Sequence, residues 1–285
     1  VSILPLVATV ADTAEQSLFI PVLLGATTVL AVISFIDDLR ALPASLRFGF
    51  HALAAVAIVL ALNLPHASLP ATADWAGAMW LLVALSLAIW IAGYANAFNF
   101  MDGINGIAAG QAVVTGAGMA VLGGVALGDS SAAPVVVSLC IAGAAAGFLP
   151  HNFPRARMFM GDVGSVTLGF LLASVAVWLV EIGGRQLVVP LVLLHANFVL
   201  DTGITLFRRV LRGEHFSQSH REHFYQRLVR AGKSHSFVTT VELVLQAGVV
   251  ILLLVYLQSD ASLRWYIGMA VIACWLAFFS YADAC

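Results

Sequence analysis

The sequence predicts an all-α, polytopic membrane protein, and three observations lead to that fold class. The 285 residues are 61% hydrophobic and only 10% charged, whereas soluble domains contain roughly 25% charged residues. The mean hydropathy is +0.98. Apolar runs of about 20 residues, long enough to cross a bilayer as a helix, recur along almost the whole chain. This composition argues against a water-soluble fold, and no basic footprint for nucleic acid is visible.

The apolar spans can be placed in order along a single membrane domain that covers residues 1–285. Nine spans are predicted, and a short apolar run at residues 1–10 would be the remnant of a tenth, which gives 9 to 10 spans. The chain starts at Val1 without a signal peptide, so we expect it to lack its natural start. The predicted spans are 18–36, 44–63, 79–98, 106–128, 132–150, 163–183, 186–207, 237–257 and 263–282.

Lysines and arginines are distributed unevenly between the two ends of these spans. Eleven of the 13 Lys and Arg residues fall in the segments around 37–47, 151–162 and 208–236, and only Arg185 and Arg264 fall on the other side. Because cytoplasmic loops are enriched in Lys and Arg, we predict that the long polar segments face the cytoplasm.

The first polar motif is the pair of carboxylates, Asp37 and Asp38, that follows the first span. Adjacent carboxylates at a membrane boundary concentrate negative charge that a divalent cation or a proton can neutralise. A solvated helix end is the plainer alternative. Arg47 opens the next span and is predicted to reach back toward the same place.

The second motif runs from Asn96 to residue 107 and includes the pattern DGxNG. Asn96, Asn99 and Asp102 are three residues apart, so they share one face if the helix continues. The glycines at 103 and 106 permit a turn or a close approach of the backbone to a ligand. A simple polar turn would look similar, although amides near the hydrocarbon need partners.

The third motif places Asp162 between Gly161 and Gly164 at the start of a later span. An Asp at a helix start is a common cap. Alternatively, the backbone amides of Gly164 and Ser165 hold a phosphate while Asp162 holds a metal that bridges it. The sequence leaves both interpretations open.

The fourth motif is a basic segment at 208–236 that contains seven Lys and Arg residues and four histidines. Its central HREHFYQRL stretch offers His, Arg and Gln side chains that suit a phosphate or a polar headgroup. A basic stretch lying on anionic lipid is the rival interpretation. Asp201 precedes this segment inside an apolar span, where a carboxylate is a functional candidate.

Taken together and in order, FIDD, NAFNFMDGINGIAAG, FMGDVGS and HREHFYQRL resemble the polyprenyl-phosphate N-acetylhexosamine-1-phosphate transferase superfamily, bacterial glycosyl transferase family 4. The resemblance covers about residues 18–236, and the last motif is similar to the O-antigen-initiating undecaprenyl-phosphate sugar-1-phosphate transferases. The superfamily would also have a helix and a polar loop before residue 1.

The resemblance implies a reaction, a cofactor and a set of partners. The reaction transfers an N-acetylhexosamine-type sugar 1-phosphate from a UDP-sugar to undecaprenyl phosphate, releases UMP and initiates a lipid-linked glycan such as O-antigen. The implied cofactor is Mg²⁺, with Mn²⁺ as a substitute. The implied partners are undecaprenyl phosphate, the UDP-N-acetylhexosamine-type sugar and membrane lipid, with no nucleic acid. A homodimer and a place in the bacterial inner membrane, with the active site facing the cytoplasm, are also expected.

The resemblance also implies roles for individual residues. Asp37, Asp38 and Asp102 would be catalytic, with the base undecided between the first two, and Asp162 and Asp102 would bind the metal. Asn105 stands where many relatives carry an Asp, so no carboxylate chemistry is expected there. The implied substrate-binding residues are Arg47, Asn96, Asn99, Asn105, His220, Arg221 and His223.

Three other functions remain as alternatives. A phospho-MurNAc-pentapeptide transferase typically carries consecutive histidines where this chain has His223 followed by Phe224. A secondary transporter would use Asp37, Asp102 and Asp201 as a relay, but transporters place such sites near the bilayer midplane. A structural or lipid-binding protein is suggested by the basic segment alone.

Overall fold

The protein is built from α-helices, as shown by a computed structural model that describes residues 18–62, 76–129, 132–214 and 222–285. No β-strand occurs within these ranges, so the predicted all-α fold class is confirmed. A short 3₁₀ helix, Arg185–Leu187, precedes α7. The α-helices are α1 (Phe19–Arg40), α2 (Ala44–Ala61), α3 (Ala76–Met101), α4 (Ile107–Leu127), α5 (Ala133–Asn152), α6 (Gly161–Gly183), α7 (Val188–Leu194), α8 (Ala196–Leu211), α9 (Phe224–Arg230), α10 (His235–Gln258) and α11 (Ala261–Ala284).

The number of helices that can cross a membrane agrees with a polytopic bundle. Eight helices of the described chain, α1 to α6, α10 and α11, are long and apolar enough to span a bilayer. The bent pair Arg185–Leu194 and Ala196–Leu211 adds a ninth if it is counted as one span. A count of nine equals the lower end of the predicted range of 9 to 10 spans. The remnant span predicted at 1–10 lies outside the described residues.

The span predicted at 186–207 is present as two helices that together are long and apolar enough to cross a bilayer, rather than as one straight helix. It bends by 62° between α7 and α8, at His195. The imidazole Nδ1 lies 2.7 Å from the Leu191 carbonyl oxygen, and the ring packs edge-on against Tyr94 at a centroid distance of 4.6 Å. The Leu191 carbonyl also accepts the His195 backbone N–H at 3.2 Å, so both donors of His195 meet at the end of α7. Apolar content alone cannot indicate a bend at this position.

Helix α6 is the central element of the bundle because it contacts every helix from α1 to α5. Most of its length is buried, including the large side chains of Phe170 and Trp178. Phe19 at the start of α1 packs on Trp178, with ring centroids 4.5 Å apart. This packing fixes the N-terminus of α6 beside the C-terminal ends of α1 and α3, where the polar motifs lie.

Helix α8 is polar toward the protein and apolar away from it. Its buried residues include Asn197, Asp201 and Thr205, whereas Phe207 and Leu211 are exposed. In a lipid environment the exposed apolar side chains face hydrocarbon, and the polar groups need partners inside the bundle. The polar face of α8 therefore points to internal contacts with neighbouring helices.

Candidate active site

The carboxylates of the first and third sequence motifs meet at the N-terminus of α6. The backbone N–H of Asp162 donates to Asp38 Oδ1 at 3.2 Å, and that of Val163 lies 3.5 Å from Asp38 Oδ2. Asp38 at the end of α1 thus caps α6, since the preceding residue, Met160, makes no side-chain cap. Asp162 is therefore not the helix cap, and its carboxylate is available for other contacts.

Gly161 allows this close approach of α1 and α6. Its φ angle is +64°, and a Cβ atom at this position would lie 2.8 Å from Asp38 Oδ2. Both the left-handed backbone and the lack of space require glycine here. The presence of glycine at position 161, the first residue of the GDVGS motif, is therefore explained by the packing of α1 on α6 without any ligand.

Arg47 lies between two carboxylates of the site. Its Nη1 donates to Asp37 Oδ2 at 2.9 Å and lies 3.7 Å from Asp162 Oδ2. The Asp37 side chain is only 7% exposed, and its Oδ1 accepts a hydrogen bond from the Leu42 backbone N–H. The predicted reach of Arg47 back to the first motif is therefore present, and it fixes Asp37.

Asn99 and Asp102 bring the second motif into the same site. Asn99 Nδ2 donates to Asp162 Oδ1 at 2.8 Å and to Ser165 Oγ at 2.9 Å. Asp102 follows the last residue of α3, and burial, followed by the negative charge of Asp162, raises its pKa to about 7. A bound cation would oppose both causes and favour the ionised form of Asp102.

A cavity of about 290 Å³ opens over these groups. Its wall combines carboxylates, amides and one imidazole with a few apolar side chains, which is a suitable lining for a polar ligand. The residues that line it are Asn99, Asp102, Gly103, Ile104, Asn105, Asn152, Phe159, Met160, Gly161, Asp162, Ser165 and His235.

The loop between α3 and α4 is held by contacts of both the side chain and the backbone carbonyl of Asn105. Asn105 Nδ2 donates to the Pro154 carbonyl at 3.1 Å, and its Oδ1 lies 3.2 Å from His235 Nδ1. Thr239 donates to the Asn105 carbonyl at 2.8 Å. Asn105 lines the cavity, but its amide is engaged in joining the loop to α10 and to the segment after α5.

His223 is placed under this loop and is almost fully buried. Its Nδ1 lies 2.8 Å from Asp201 Oδ1, and the Phe224 backbone N–H donates to Asp201 Oδ2 at 3.0 Å. The imidazole stacks with Phe100 at 6.5 Å and with Tyr225 at 5.9 Å. His223 does not line the cavity, and Asp201 holds its ring orientation.

Asn96 is a further predicted substrate-binding residue that does not join the cluster. Asn96 lies one helical turn deeper on α3, where its Nδ2 donates to the Ala92 carbonyl at 2.7 Å. His220 and Arg221 lie outside the described residues. Six predicted site residues are brought together: Asp37, Asp38, Arg47, Asn99, Asp102 and Asp162.

Two residues of the site received no role from the sequence. Ser165 was considered only for its backbone amide, yet its hydroxyl accepts from Asn99. His235 was one of four histidines in the basic segment, and it lines the cavity from the start of α10. Local sequence gave no signal for His235, because its contact with Asn105 joins residues 130 positions apart.

Comparison with known proteins gives matches that cover most of this site. Residues 20–180 match the model of glycosyl transferase family 4. A probable undecaprenyl-phosphate N-acetylglucosaminyl 1-phosphate transferase of Bacillus subtilis is 29% identical over 73% of this chain and 57% of its own length. A decaprenyl-phosphate N-acetylglucosaminephosphotransferase of Mycobacterium tuberculosis is 31% identical over 78% of this chain and 59% of its own length.

A shorter match joins the chain to a different group. The phospho-N-acetylmuramoyl-pentapeptide-transferase of Lacticaseibacillus paracasei is 39% identical over 36% of this chain and 30% of its own length. The chain spans less than three fifths of the length of the first two relatives.

Proposed function

The chain belongs to glycosyl transferase family 4, and on that premise we propose that it transfers a sugar 1-phosphate from a UDP-sugar to a polyprenyl phosphate. The donor would be of the N-acetylhexosamine type, the acceptor undecaprenyl phosphate and the leaving product UMP. The observation that carries this proposal is the convergence of Asp37, Asp38 and Asp162 with Arg47 at the ends of apolar helices. A lipid-anchored phosphate and a water-soluble nucleotide can meet at such a boundary.

The arrangement suits the physical problem of phosphoryl transfer. Two anions must come together in line, so positioning and charge neutralisation supply most of the rate. Arg47 offers a planar set of N–H donors that can grip a phosphate at two points. Its side chain is 39% exposed although it holds Asp37, so part of the side chain remains accessible for such a contact.

A magnesium ion fits the donor set of this site. No group of three or more His, Cys, Asp or Glu that could hold a metal occurs within the described ranges. Mg²⁺, however, commonly uses one or two carboxylates together with substrate phosphates and retained waters. Asp162 and Asp102 would hold the ion, and when bound it would neutralise charge on the phosphates.

The two adjacent aspartates would have separate roles. Asp38 contacts the α6 terminus that carries Asp162, which supports a role for it beside the proposed metal ligand. Asp37 is held by Arg47 and the backbone after α1. We assign Asp37 to orienting the acceptor phosphate or accepting its proton, and Asp38 to supporting Asp162.

The sugar and the glycan are the finer part of the proposal. The names of two relatives contain N-acetylglucosamine and a polyprenyl phosphate, which supports an N-acetylhexosamine donor and a role in the cell envelope. The HREHFYQRL stretch favours initiation of O-antigen over peptidoglycan synthesis. The short match to a pentapeptide transferase makes peptidoglycan synthesis the second candidate.

The test is a transfer assay with membranes that contain the protein. Labelled UDP-N-acetylhexosamines are incubated with undecaprenyl phosphate, with and without Mg²⁺, and UMP release and lipid-linked product are measured. We expect Mg²⁺-dependent transfer of at least one sugar. Asp162→Asn should lower the rate by about two to three orders of magnitude without loss of membrane insertion.

Asp129→Asn is the matched control, because Asp129 is exposed in the segment after α4, at the end of the helix remote from the cavity. It should retain the rate of the unchanged protein. Absence of UMP release with every UDP-N-acetylhexosamine would reject the transferase proposal. Near-normal transfer by Asp162→Asn would remove Asp162 from the metal site.

A further inference from the structure

A second cluster of polar side chains lies where the chain bends between α7 and α8. Glu242 and Gln246 on α10 and Asn197 on α8 are at most 1% exposed. Asn197 Nδ2 donates to Glu242 Oε2 at 2.9 Å. Gln246 Nε2 donates to the Leu194 carbonyl, the last of α7, at 2.6 Å. Helix α10 thus contacts both sides of the bend through polar side chains.

Three oxygen atoms of this cluster lack a hydrogen-bond partner within the described residues. They are Glu242 Oε1, Asn197 Oδ1 and Gln246 Oε1. The Gln246 amide cannot be turned around, because the Leu194 carbonyl can only accept a hydrogen bond. Glu242 and Gln246 are four residues apart and share one face of α10. The open positions of these three side chains are therefore all acceptors.

A buried carboxyl group with this surrounding needs either a proton or a nearby cation. Isolated charges are costly inside a membrane protein unless they are paired. Within the described ranges, no Lys or Arg forms an ion pair with Glu242. A proton on Glu242 Oε1 would supply one donor and leave one of the other two oxygens without a partner. A cation placed between the three side chains would accept a lone pair from each of the open oxygens.

The chemistry of the cluster selects the kind of cation. One carboxylate and neutral amide oxygens match a hard, singly charged ion better than a divalent or a thiophilic one. The bend adds a second feature, since broken membrane helices direct the carbonyls of a half-helix C-terminus toward bound Na⁺. The Leu194 carbonyl lies at such an end.

We propose that Glu242, Asn197 and Gln246 form a binding site for an alkali cation, represented by Na⁺, that fixes the α7–α8 bend against α10. The site is independent of the proposed transferase activity. It has a structural consequence, because Asp201 follows Asn197 by one turn on α8 and holds His223. An ion that fixes Asn197 also fixes the start of the helix that carries Asp201.

The experiment measures cation binding directly in the purified protein in detergent. Thermal unfolding is followed at constant pH and ionic strength while NaCl replaces choline chloride, and retention of radioactive sodium is measured in parallel. We expect saturable binding and a rise of the melting temperature on the order of 5 °C at saturation. Glu242→Gln should abolish both effects, and Gln246→Met should weaken both, which keeps the test valid if the first variant does not fold.

Glu181→Gln is the matched control, since it removes a carboxylate from near the end of α6, a helix that carries none of the three side chains of the cluster. Its response to Na⁺ should equal that of the unchanged protein. Equal stabilisation by choline chloride and NaCl would overturn the proposal, and so would sodium retention that survives in Glu242→Gln. Stabilisation by acid without any dependence on Na⁺ would show that the occupant is a proton and would also overturn it.

Discussion

Arg47 illustrates how one side chain can organise several charges at a membrane boundary. It forms a 2.9 Å ion pair with the buried Asp37 carboxylate and approaches Asp162 to 3.7 Å. A guanidinium has five N–H donors in a fixed plane, so it can keep one carboxylate and still contact a phosphate. A Lys ammonium would offer a point charge without that planar geometry. In the proposed reaction, Arg47 would therefore link acceptor binding to the position of Asp37.

Gly103 sets the position of the loop that carries Asp102. A Cβ atom at Gly103 would lie 2.1 Å from Tyr225 Oη. The tyrosine is fully buried, donates to the Phe100 carbonyl at 3.2 Å and accepts from Gln226 Nε2 at 3.0 Å. It cannot move aside without losing these bonds. Glycine is thus required for packing of the loop on α9.

This contact predicts the effect of Gly103→Ala. The added methyl group should displace the loop or Tyr225 at a cost of about 1–3 kcal/mol, so transfer activity and the melting temperature should both fall. Tyr225→Phe in the same chain removes the hydroxyl oxygen and should restore part of both. Gly143→Ala, where nothing lies within 4 Å of the new methyl, should change neither. If Gly103→Ala left both transfer activity and the melting temperature unchanged, the loop would not depend on close packing against Tyr225.

At the scale of helices, two aspartates each cap a helix other than their own. Asp38 on α1 accepts from the first turn of α6, and Asp201 on α8 accepts from the first N–H of α9. Carboxylates are stabilising at helix N-termini because exposed N–H groups and the helix dipole are positive there. These caps orient two helices that carry Asp162 and Tyr225. Each cap therefore fixes the position of one helix end relative to a neighbouring helix.

Asp201→Asn should loosen α9 more than it disturbs the rest of the bundle. The amide can still accept from one N–H, but its pairing with His223 Nδ1 weakens inside a buried site, at a cost of about 1–3 kcal/mol. We expect a lower melting temperature and faster hydrogen exchange at residues 224–230. Asp283→Asn is the comparison, since Asp283 also binds α9 through Arg227 but is 32% exposed. Asp283→Asn should lower the free energy of unfolding by at most about 1 kcal/mol. Equal effects of the two variants would contradict the conclusion that Asp201 is the main anchor of α9.

Sequence reasoning reached the apolar spans and the carboxylates at their ends, because hydrophobicity and local motifs are readable along the chain. It did not reach the bend at His195, whose ring packs against Tyr94 on α3, about 100 positions earlier in the chain. The cap of α6 by Asp38 joins residues 124 positions apart, and its donor and acceptor have no local signature. Placement of His235 in the cavity has the same origin. Contacts between helices decide these features.

At the scale of the whole molecule, the polar groups gather at one end of the bundle. The C-termini of α1 and α3 and the N-termini of α6 and α10 meet around the cavity. The opposite end of α6 is followed by the 3₁₀ helix that starts with Arg185. A multi-pass chain with this arrangement can keep a charged donor in water while an acceptor tail stays in lipid. The proposed reaction would require the nucleotide on the side of the membrane that this end of the bundle faces.

The charge distribution predicts that this side is the cytoplasm. Arg157 and Arg185 flank α6 at its two ends, and both are exposed, so single cysteines at these positions report the two sides. The native cysteines, Cys140, Cys274 and Cys285, are free and must first be replaced by serine or alanine. In spheroplasts, a membrane-impermeant maleimide should label Arg185→Cys and leave Arg157→Cys unlabelled. In inverted inner-membrane vesicles the pattern should reverse. Labelling of Arg157→Cys in intact spheroplasts would place the cavity outside, where no UDP-sugar pool is expected, and would contradict the orientation and the proposed donor together.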